Sequence, residues 1–175
     1  HQSTTDPDAK LMRKGNGQPA KLSYGGHALM ENRSGLCVDL LITDATLAEH
    51  QAARQLLTRA RRRKIHPKTL GADKGYHVKD FVQHLREHKI KPHIARIDGR
   101  KTPGLDGRTS CTEGYKVSQR KRKRVEEIFG WLKTVGEMRK TRFIGEARTQ
   151  IAAYLSAAAY NLLRIAKLQS AGSAA

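Results

Sequence analysis

Hydrophobic and polar residues alternate in short runs over the first quarter of the chain. Two runs that favour β-structure, at 21–31 and 36–42, flank an Asn-Arg-Ser-Gly stretch at 32–35. Such residues favour a turn, so the pattern predicts a hairpin. A further short strand is expected around 10–13, within a polar N-terminal segment that otherwise has the composition of a loop.

The hairpin is followed by alternating helical and strand patterns. A capping box from Thr46 to Glu49 begins a helix with apolar residues at helical spacing, and this helix ends in a basic run before Pro67. The pattern then predicts a strand at 69–73, a helix at 78–88, a strand at 90–95, a mobile loop at 97–114, and helices at 117–135 and 146–168. Strands that alternate with helices after a hairpin indicate a three-layer α/β domain.

The charge balance indicates the kind of partner. The 175 residues include 34 Lys and Arg against 16 Asp and Glu, a net charge of +18. A chain this basic is expected to bind a polyanion, and nucleic acid is the usual one. Cys37 and Cys111 have no metal-type spacing and indicate a reducing compartment, so we expect a cytoplasmic protein. The length suits one domain, predicted at 1–169, followed by a disordered tail at 170–175.

An aspartate ends a short apolar run in the stretch GADKGYHVKDF, at 71–81. Asp73 is followed at once by Lys74 and Gly75. A salt-bridged surface turn would explain this placement. A metal ligand at the end of a sheet strand would explain it equally, provided that the chain supplies a second acid.

The predicted helix at 117–135 supplies a candidate for that second acid. Its apolar stripe has spacings of three and four residues: Val125, Ile128, Phe129 and Leu132. At about 100° per residue, Glu126 lies beside the edge of this stripe and Glu127 points toward solvent. Arg122 and Lys133 lie on nearly the same line as Glu126. An ion pair on a solvated helix face explains this pattern as well.

Several motifs of this sequence resemble the bacterial insertion-sequence DDE transposases. Arg122, Glu126 and Lys133 match the Tyr-x2-Arg-x3-Glu-x6-Lys signature of that family, with Gln119 at the Tyr position. The stretches HQSTTDPDAKLMRKG, GHALMENRSGLCVD, GADKGY and RVEEIFGWLKT also look like the family, in the right order and over nearly the whole chain.

The resemblance implies a ribonuclease-H-like three-layer fold, with a mixed sheet and flanking helices. It implies a DNA transposase that uses Mg²⁺, with Mn²⁺ as a substitute, for phosphodiester hydrolysis and strand transfer at the ends of an insertion sequence. Asp73 and Glu126 match two of the three acids that hold two metal ions in this family. Arg122 and Lys133 are expected to contact DNA ends, and the partners are terminal inverted repeats and target DNA.

The implied chemistry suits the residue types. Mg²⁺ prefers oxygen ligands and takes only one or two carboxylates, together with water and phosphate oxygens. Two such ions about 4 Å apart stabilise both the attacking and the leaving oxygen of an in-line displacement. We therefore predict that Asp73 is a metal ligand.

The first acid of the family has no match in this chain. It lies on a central strand upstream of the residues present here. Asp6 and Asp8 flank Pro7 in a turn-like segment, and Asp39 does not match the motif. We therefore expect the C-terminal part of a transposase, with a fold that is incomplete at its N-terminus. A catalytically inactive remnant that binds DNA nonspecifically is the alternative, and an RNA- or ribosome-associated basic protein fits less well.

Two basic clusters are candidates for phosphate contact. The first comprises Arg59 and residues 61–64 at the end of a predicted helix, where favourable helix-dipole chemistry is the other explanation. Four cations in a row exceed what capping needs, so we predict that Arg61, Arg62 and Arg63 bind DNA. The second cluster, Lys116 with residues 120–124, leads directly to Glu126.

Two further patterns are interpreted as structural. His84 and His88 have the spacing of zinc ligands on a helix, but we find no third ligand at a convincing spacing and predict no metal there. The Ala-rich final helix is predicted to cover the sheet, with a homodimer contact as the alternative. Its predicted core residues are Tyr154, Leu155, Ala158, Leu162 and Ile165.

Overall fold

The computed structural model describes residues 3–13 and 15–172. The chain divides into two compact units. Unit 1 comprises His1–Ala48 and Val125–Ala175, and unit 2 comprises Glu49–Arg124. Each unit has its own hydrophobic core.

Unit 1 contains an antiparallel sheet of three strands. These are β1 (Lys10–Met12), β2 (Lys21–Met30) and β3 (Cys37–Asp44), in the order β1-β2-β3. The predicted hairpin and short N-terminal strand are therefore confirmed. The Glu31 carboxylate accepts hydrogen bonds from the backbone N–H groups of Arg33 and Ser34, at 2.9 and 2.6 Å, which closes the turn. Polar turn residues thus satisfy the backbone where strand pairing stops.

Two helices pack on this sheet, α5 (Arg124–Thr134) and α6 (Glu146–Gly172). The apolar stripe predicted for the first of them is confirmed, since Ile128 and Leu132 are buried. The core combines one face of the sheet with both helices: Leu40, Ile42, Ile128, Leu132, Ala153, Ala157 and Tyr160. Apolar surface buried there contributes about 25 cal/mol per Å².

Helix α6 buries a different face from the one predicted. Ala153, Ala157 and Tyr160 face the core, whereas Leu155 and Leu162 are each 69% exposed. The prediction that this helix buries five other residues is wrong, because all five are exposed: Tyr154, Leu155, Ala158, Leu162 and Ile165. The helix also extends through Gly172, so the first residues of the predicted tail are helical, and 173–175 lie outside the described residues.

Polar side chains on α6 explain this rotation of the helix. Gln150 accepts a hydrogen bond from the Ile42 N–H at 2.8 Å and donates to the Leu40 carbonyl at 3.0 Å. Asn161 accepts from the Cys37 N–H at 2.8 Å and donates to the Cys37 carbonyl at 2.9 Å. These amides must face β3, which turns the longer apolar side chains away from the sheet.

Unit 2 is built around a strand–helix–strand segment. After α1 (Glu49–Arg62), the strands β4 (Thr69–Ala72) and β5 (Lys91–Ile94) pair in parallel, and α2 (Lys79–Glu87) connects them. A 3₁₀ turn (Lys74–Tyr76) lies between β4 and α2. The core of this unit combines residues of α1, α2 and β5 with two residues of the connecting segments: Leu57, Phe81, Val82, Leu85, Ile90, Ile94 and Leu105.

The predicted α/β class is confirmed, but the strands of the described chain form two separate sheets. One is antiparallel with three strands and the other is parallel with two. A single mixed sheet was expected. The amides of Gln150 and Asn161 bond to β3 along the edge that does not face β2, so side chains occupy a position where a further strand would pair.

The predicted loop at 97–114 contains a short helix, α3 (Gly107–Ser110), and the start of α4 (Glu113–Lys121). Asp106 caps α3 through a hydrogen bond from the Arg108 N–H at 3.1 Å. Arg86 donates to the Gly104 carbonyl and the Thr109 hydroxyl at 2.5 and 2.7 Å. Leu105 is buried in the core. These contacts give the segment a defined conformation that its Gly- and Thr-rich composition did not indicate.

The single helix predicted at 117–135 is two helices. Helix α4 ends at Lys121 and α5 begins at Arg124, with Arg122 as the C-cap of α4. Five consecutive cations occupy 120–124. Like charges at helical spacing repel each other, and cations at the start of α5 oppose its dipole, so a continuous helix is disfavoured there.

In the described part of the chain, we find no helix with the length and hydropathy that a membrane span requires.

Candidate active site

Asp73 lies where the sequence placed it, directly after β4. It is exposed and caps the 3₁₀ turn, because its Oδ1 accepts a hydrogen bond from the Gly75 N–H at 2.8 Å. A Cβ atom added at Gly75 would lie 3.1 Å from Asp73 Oδ1 and 3.3 Å from Glu49 Oε2. Glycine at 75 therefore leaves space for two carboxylates to approach the same turn.

Glu49 is the residue of this site that sequence reasoning missed. Its position was assigned to a capping box, but α1 begins at Glu49 itself, and the Thr46 hydroxyl bonds the Asp44 carboxylate instead. Glu49 is exposed overall, but partial desolvation of its carboxyl, and then the charge of Asp73, raise the pKa of that carboxyl. Burial, together with the charges of Glu49 and Asp73, also raises the pKa of the Tyr76 hydroxyl. Glu49 and Asp73 are thus electrostatic neighbours.

The pair has the donor atoms that a hard divalent cation prefers. Both side chains are carboxylates, and the mutual repulsion of their ionised forms is what a bound cation would offset. The hydrogen bond from Gly75 to Asp73 fixes one carboxylate at the strand end. The donor atoms present therefore suit a hard divalent cation.

Gln119 on α4 joins this strand end to an arginine of the predicted site. Its side-chain amide donates to the carbonyls of His93 and Ala72, at 2.5 and 3.3 Å. Its carbonyl oxygen accepts from Arg122 Nε at 2.9 Å. Ala72 immediately precedes Asp73, so a single side chain connects the ends of β4 and β5 with Arg122.

Helix α4 lies close enough to the sheet for these bonds to form. A Cβ added at Gly71 would lie 3.3 Å from the Ser118 carbonyl and 3.5 Å from Arg122 Cβ. The Ser118 hydroxyl lies 2.7 Å from His93 Nδ1, and the Tyr115 hydroxyl donates to the Ile94 carbonyl at 2.9 Å. A side chain larger than hydrogen at 71 would push the helix away from β4.

Glu126 and Lys133 lie on α5 in unit 1, in the first and last turns of that helix. Both side chains are exposed, as is Glu127. The expectation that Arg122 shares their helical line is wrong, because Arg122 belongs to unit 2 and ends α4. Within one unit, the structure brings Asp73 together with Glu49, and Asp73 and Glu126 belong to different units.

The basic cluster at the end of α1 is presented to solvent. Arg61, Arg62 and Arg63 are exposed, and Arg62 is the last residue of the helix. Lys64 follows with a positive φ of 60°, which ends the helical path. The predicted phosphate-binding surface therefore lies at a helix C-terminus.

The acids that were weighed for the missing family position have structural roles. The Asp6 carboxylate accepts from the Tyr24 hydroxyl at 2.7 Å and from the Gly145 N–H at 3.2 Å. Asp8 accepts from the Glu146 N–H at 3.0 Å, at the start of α6. Asp39 is buried and accepts from the Leu40 N–H at 2.9 Å. Each of the three carboxylates therefore makes a hydrogen bond within unit 1.

Comparison with known sequences decides the family. The profile of the transposase DDE domain matches residues 2–162. The chain belongs to this transposase family. A similar curated protein is the transposase for insertion sequence element IS1106 of Neisseria meningitidis serogroup B, which is 30% identical over 172 residues. The resemblance noted in the sequence is therefore confirmed.

The match to the IS1106 transposase covers 97% of this chain and 56% of the relative, so this transposase chain spans little more than half the length of that protein. No solved structure matches the chain.

Proposed function

We propose that this chain acts on DNA as part of an insertion-sequence transposase, in Mg²⁺-dependent phosphodiester hydrolysis and strand transfer at the ends of the element. The observation that carries the proposal is Asp73, a carboxylate at a parallel strand end with Glu49 beside it and Gln119 connecting it to Arg122. The profile match over residues 2–162 supports the same function.

Asp73 and Glu126 are the proposed metal-holding residues of the family's acid set, and Glu49 lies near enough to Asp73 to influence it. A bound Mg²⁺, or Mn²⁺ in its place, would neutralise developing charge on the phosphate oxygens. The chain itself orients Asp73 through the Gly75 N–H. No side chain is needed as a covalent nucleophile in this proposal.

The cations are proposed to bind the DNA backbone. Arg122 and Lys133 would contact the ends of the element, and Arg61, Arg62 and Arg63 would hold flanking phosphates. Lys133 and the three arginines at 61–63 are exposed, and Arg122 is half-buried. Cationic groups that meet DNA neutralise phosphates and release counterions, so binding should weaken steeply with salt. The partners in this proposal are terminal inverted repeats and target DNA, in the bacterial cytoplasm and at the nucleoid.

We also propose a ribonuclease-H-like fold for this chain. An antiparallel hairpin, then a helix, a strand, a helix and a strand in parallel pairing, is the element order of a ribonuclease-H-like domain. Residues 1–169 would form one partial catalytic domain from both units. This view is supported by the element order and by the length of the profile match.

A homodimer is proposed through the outer face of α6. Ile151, Leu155 and Leu162 are 60%, 69% and 69% exposed and follow one another at helical spacing. A second copy of the same helix would cover this apolar stripe. Light scattering should then give the mass of a dimer, and Leu155→Glu with Leu162→Glu should give that of a monomer; a monomeric unsubstituted chain would overturn this part.

Nicking of a DNA duplex that carries the element end tests the main proposal. We expect Mg²⁺-dependent nicking that is lost in Asp73→Asn and in Glu126→Gln. Asp98→Asn, which removes an exposed carboxylate outside the site, should keep it. Salt-dependent DNA binding without any nicking would support the alternative, an inactive remnant that binds DNA nonspecifically.

A further inference from the structure

The C-terminal end of α2 brings together three side chains that ligate metals in other proteins. The ligand atoms of His84, Glu87 and His88 all lie within 4.8 Å of one another. The spacings of three and four residues put them on one helix face. No third ligand was expected beside the two histidines from the sequence spacing, and Glu87 supplies one.

The hydrogen bond of His88 determines which of its ring nitrogens keeps a lone pair. His88 Nδ1 lies 2.8 Å from the His84 carbonyl oxygen. A carbonyl can only accept, so Nδ1 carries the hydrogen and the lone pair of the neutral ring is on Nε2. Metal-binding histidines are commonly oriented in this way, by donating their other N–H to a carbonyl. The ring centroids of His84 and His88 are 4.2 Å apart.

We propose that His84, Glu87 and His88 bind a divalent transition-metal cation of the zinc class. Two imidazoles and one carboxylate suit Zn²⁺ and its neighbours better than Mg²⁺, which prefers an all-oxygen shell. Three protein ligands leave a fourth tetrahedral position for water or an anion. This site is separate from the Asp73 site and does not depend on the proposed function.

Neighbouring side chains lower the metal affinity that we expect at this site. Glu87 already accepts from Gln83 Nε2 at 2.9 Å, and the positive charges of Arg54 and Arg61 act on His84. Both effects oppose a bound cation. We therefore expect weaker binding than at closed zinc sites with four ligands.

Titration of the chain with Zn²⁺ by calorimetry, and with Co²⁺ by visible absorption, tests the proposal. We expect one zinc site whose affinity falls about 10-fold or more in His84→Ala and in His88→Ala, and falls in Glu87→Gln. His66→Ala removes an exposed imidazole outside the cluster and should leave this affinity unchanged. Equal affinity in His66→Ala and His88→Ala would overturn the assignment, and so would equal affinity for Mg²⁺ and Zn²⁺.

A second inference concerns Gln119 and rests on the proposed function, since it concerns how Arg122 meets DNA. We infer that Gln119 is a positioning residue, which holds the Arg122 guanidinium at the strand end that carries Asp73. Two N–H groups and one carbonyl oxygen allow its amide to bond His93, Ala72 and Arg122 together. A tyrosine hydroxyl has one hydrogen and cannot donate to both strands.

A double-mutant cycle on DNA affinity tests this inference. Arg122→Ala should weaken DNA binding, and Gln119→Leu should weaken it to a similar extent without adding to the effect of Arg122→Ala. Gln119→Glu keeps an acceptor for Arg122 but loses both donors to the strand carbonyls, so it should restore only part of the affinity. Val117→Ala, an exposed position on α4, is the matched control.

The results of this cycle distinguish the proposed DNA contact of Arg122 from the positioning role of Gln119. If Arg122→Ala leaves DNA affinity unchanged, the proposed DNA contact fails. If Arg122→Ala weakens binding but Gln119→Leu does not, or if the two effects simply add, the positioning role of Gln119 fails.

Discussion

Both units use the side-chain amides of a helix to satisfy the backbone of a sheet, but at different places. In unit 1, Gln150 and Asn161 bond along the side of β3, as a neighbouring strand would. In unit 2, Gln119 bonds the carbonyls at the ends of β4 and β5. The first arrangement completes a sheet edge. In the second, the carbonyl oxygen of the Gln119 side chain also accepts a hydrogen bond from Arg122, beside the proposed site.

The difference teaches that the same side-chain amide completes a sheet edge in one unit and holds an arginine beside the proposed site in the other. A lost hydrogen bond at the sheet edge leaves backbone groups of β3 without partners. A lost hydrogen bond at the strand end releases an arginine whose other contacts are proposed to be with DNA. Substitutions of these amides should therefore separate the stability of the chain from its affinity for DNA.

The largest effects are expected from the two cores. Ile128→Ala in unit 1 and Leu85→Ala in unit 2 each remove a fully buried side chain, and we expect a loss of about 2–5 kcal/mol in the free energy of unfolding. Hydrogen exchange should show the strongest loss of protection in the unit that carries the substitution. Equal loss in both units, whichever is substituted, would mean that they unfold together.

Smaller losses are expected from the edge amides. Gln150→Leu leaves the Ile42 N–H and the Leu40 carbonyl without their α6 partner, at a cost of about 1–3 kcal/mol for each buried group that stays unpaired. Chemical denaturation measures this loss. Gln55→Leu, an exposed amide on α1, is the control. If Gln150→Leu is no more destabilising than Gln55→Leu, water replaces the amide and the comparison between the units fails.

The smallest effect, and one that depends on pH, is expected at Glu49. Burial and Asp73 raise the pKa of its carboxyl, so ionisation of Glu49 is harder in the folded chain than in the unfolded one. The stability associated with the protonated form is therefore lost as pH rises through the raised pKa. Glu49→Gln should raise the thermal midpoint at pH 7 without added divalent metal. It should give no such gain below the ordinary glutamate pKa of about 4.3.

A second measurement tests whether the charge of Asp73 contributes to the raised pKa of Glu49. Asp73→Asn removes one cause of the raised pKa, so Glu49→Gln in that background should give a smaller gain at pH 7. A gain of unchanged size would show that the charge of Asp73 does not contribute to the raised pKa of Glu49.

The sequence was sufficient for elements whose periodicity is local. The hairpin, the strands that became β4 and β5, and the helix between them follow from alternation, turn residues and apolar spacing. Asp73 was placed at a strand end for the same reason, since the apolar run stops at Ala72. Local pattern and tertiary packing agree in these segments.

The remaining features depend on contacts between distant residues. Nothing near Glu49 in the sequence indicates Asp73, which is brought to it by the packing of α1 on the 3₁₀ turn. The rotation of α6 depends on Gln150 and Asn161, which bond residues more than a hundred positions away. Apolar periodicity favoured the face with Leu155, but the hydrogen-bonding demand of β3 outweighed it.

The hydrogen bonds between α6 and β3 also have a consequence during synthesis of the chain on the ribosome. Gln150 follows Ile42 by 108 residues, so β3 is synthesised long before its amide partner exists. At about 5–20 residues per second, the interval is roughly 5 to 20 s. During that time the nascent strand offers open N–H and C=O groups to any other chain. A chain that is truncated before Gln150 would never pair these backbone groups of β3. We expect such a product to self-associate through intermolecular β-pairing.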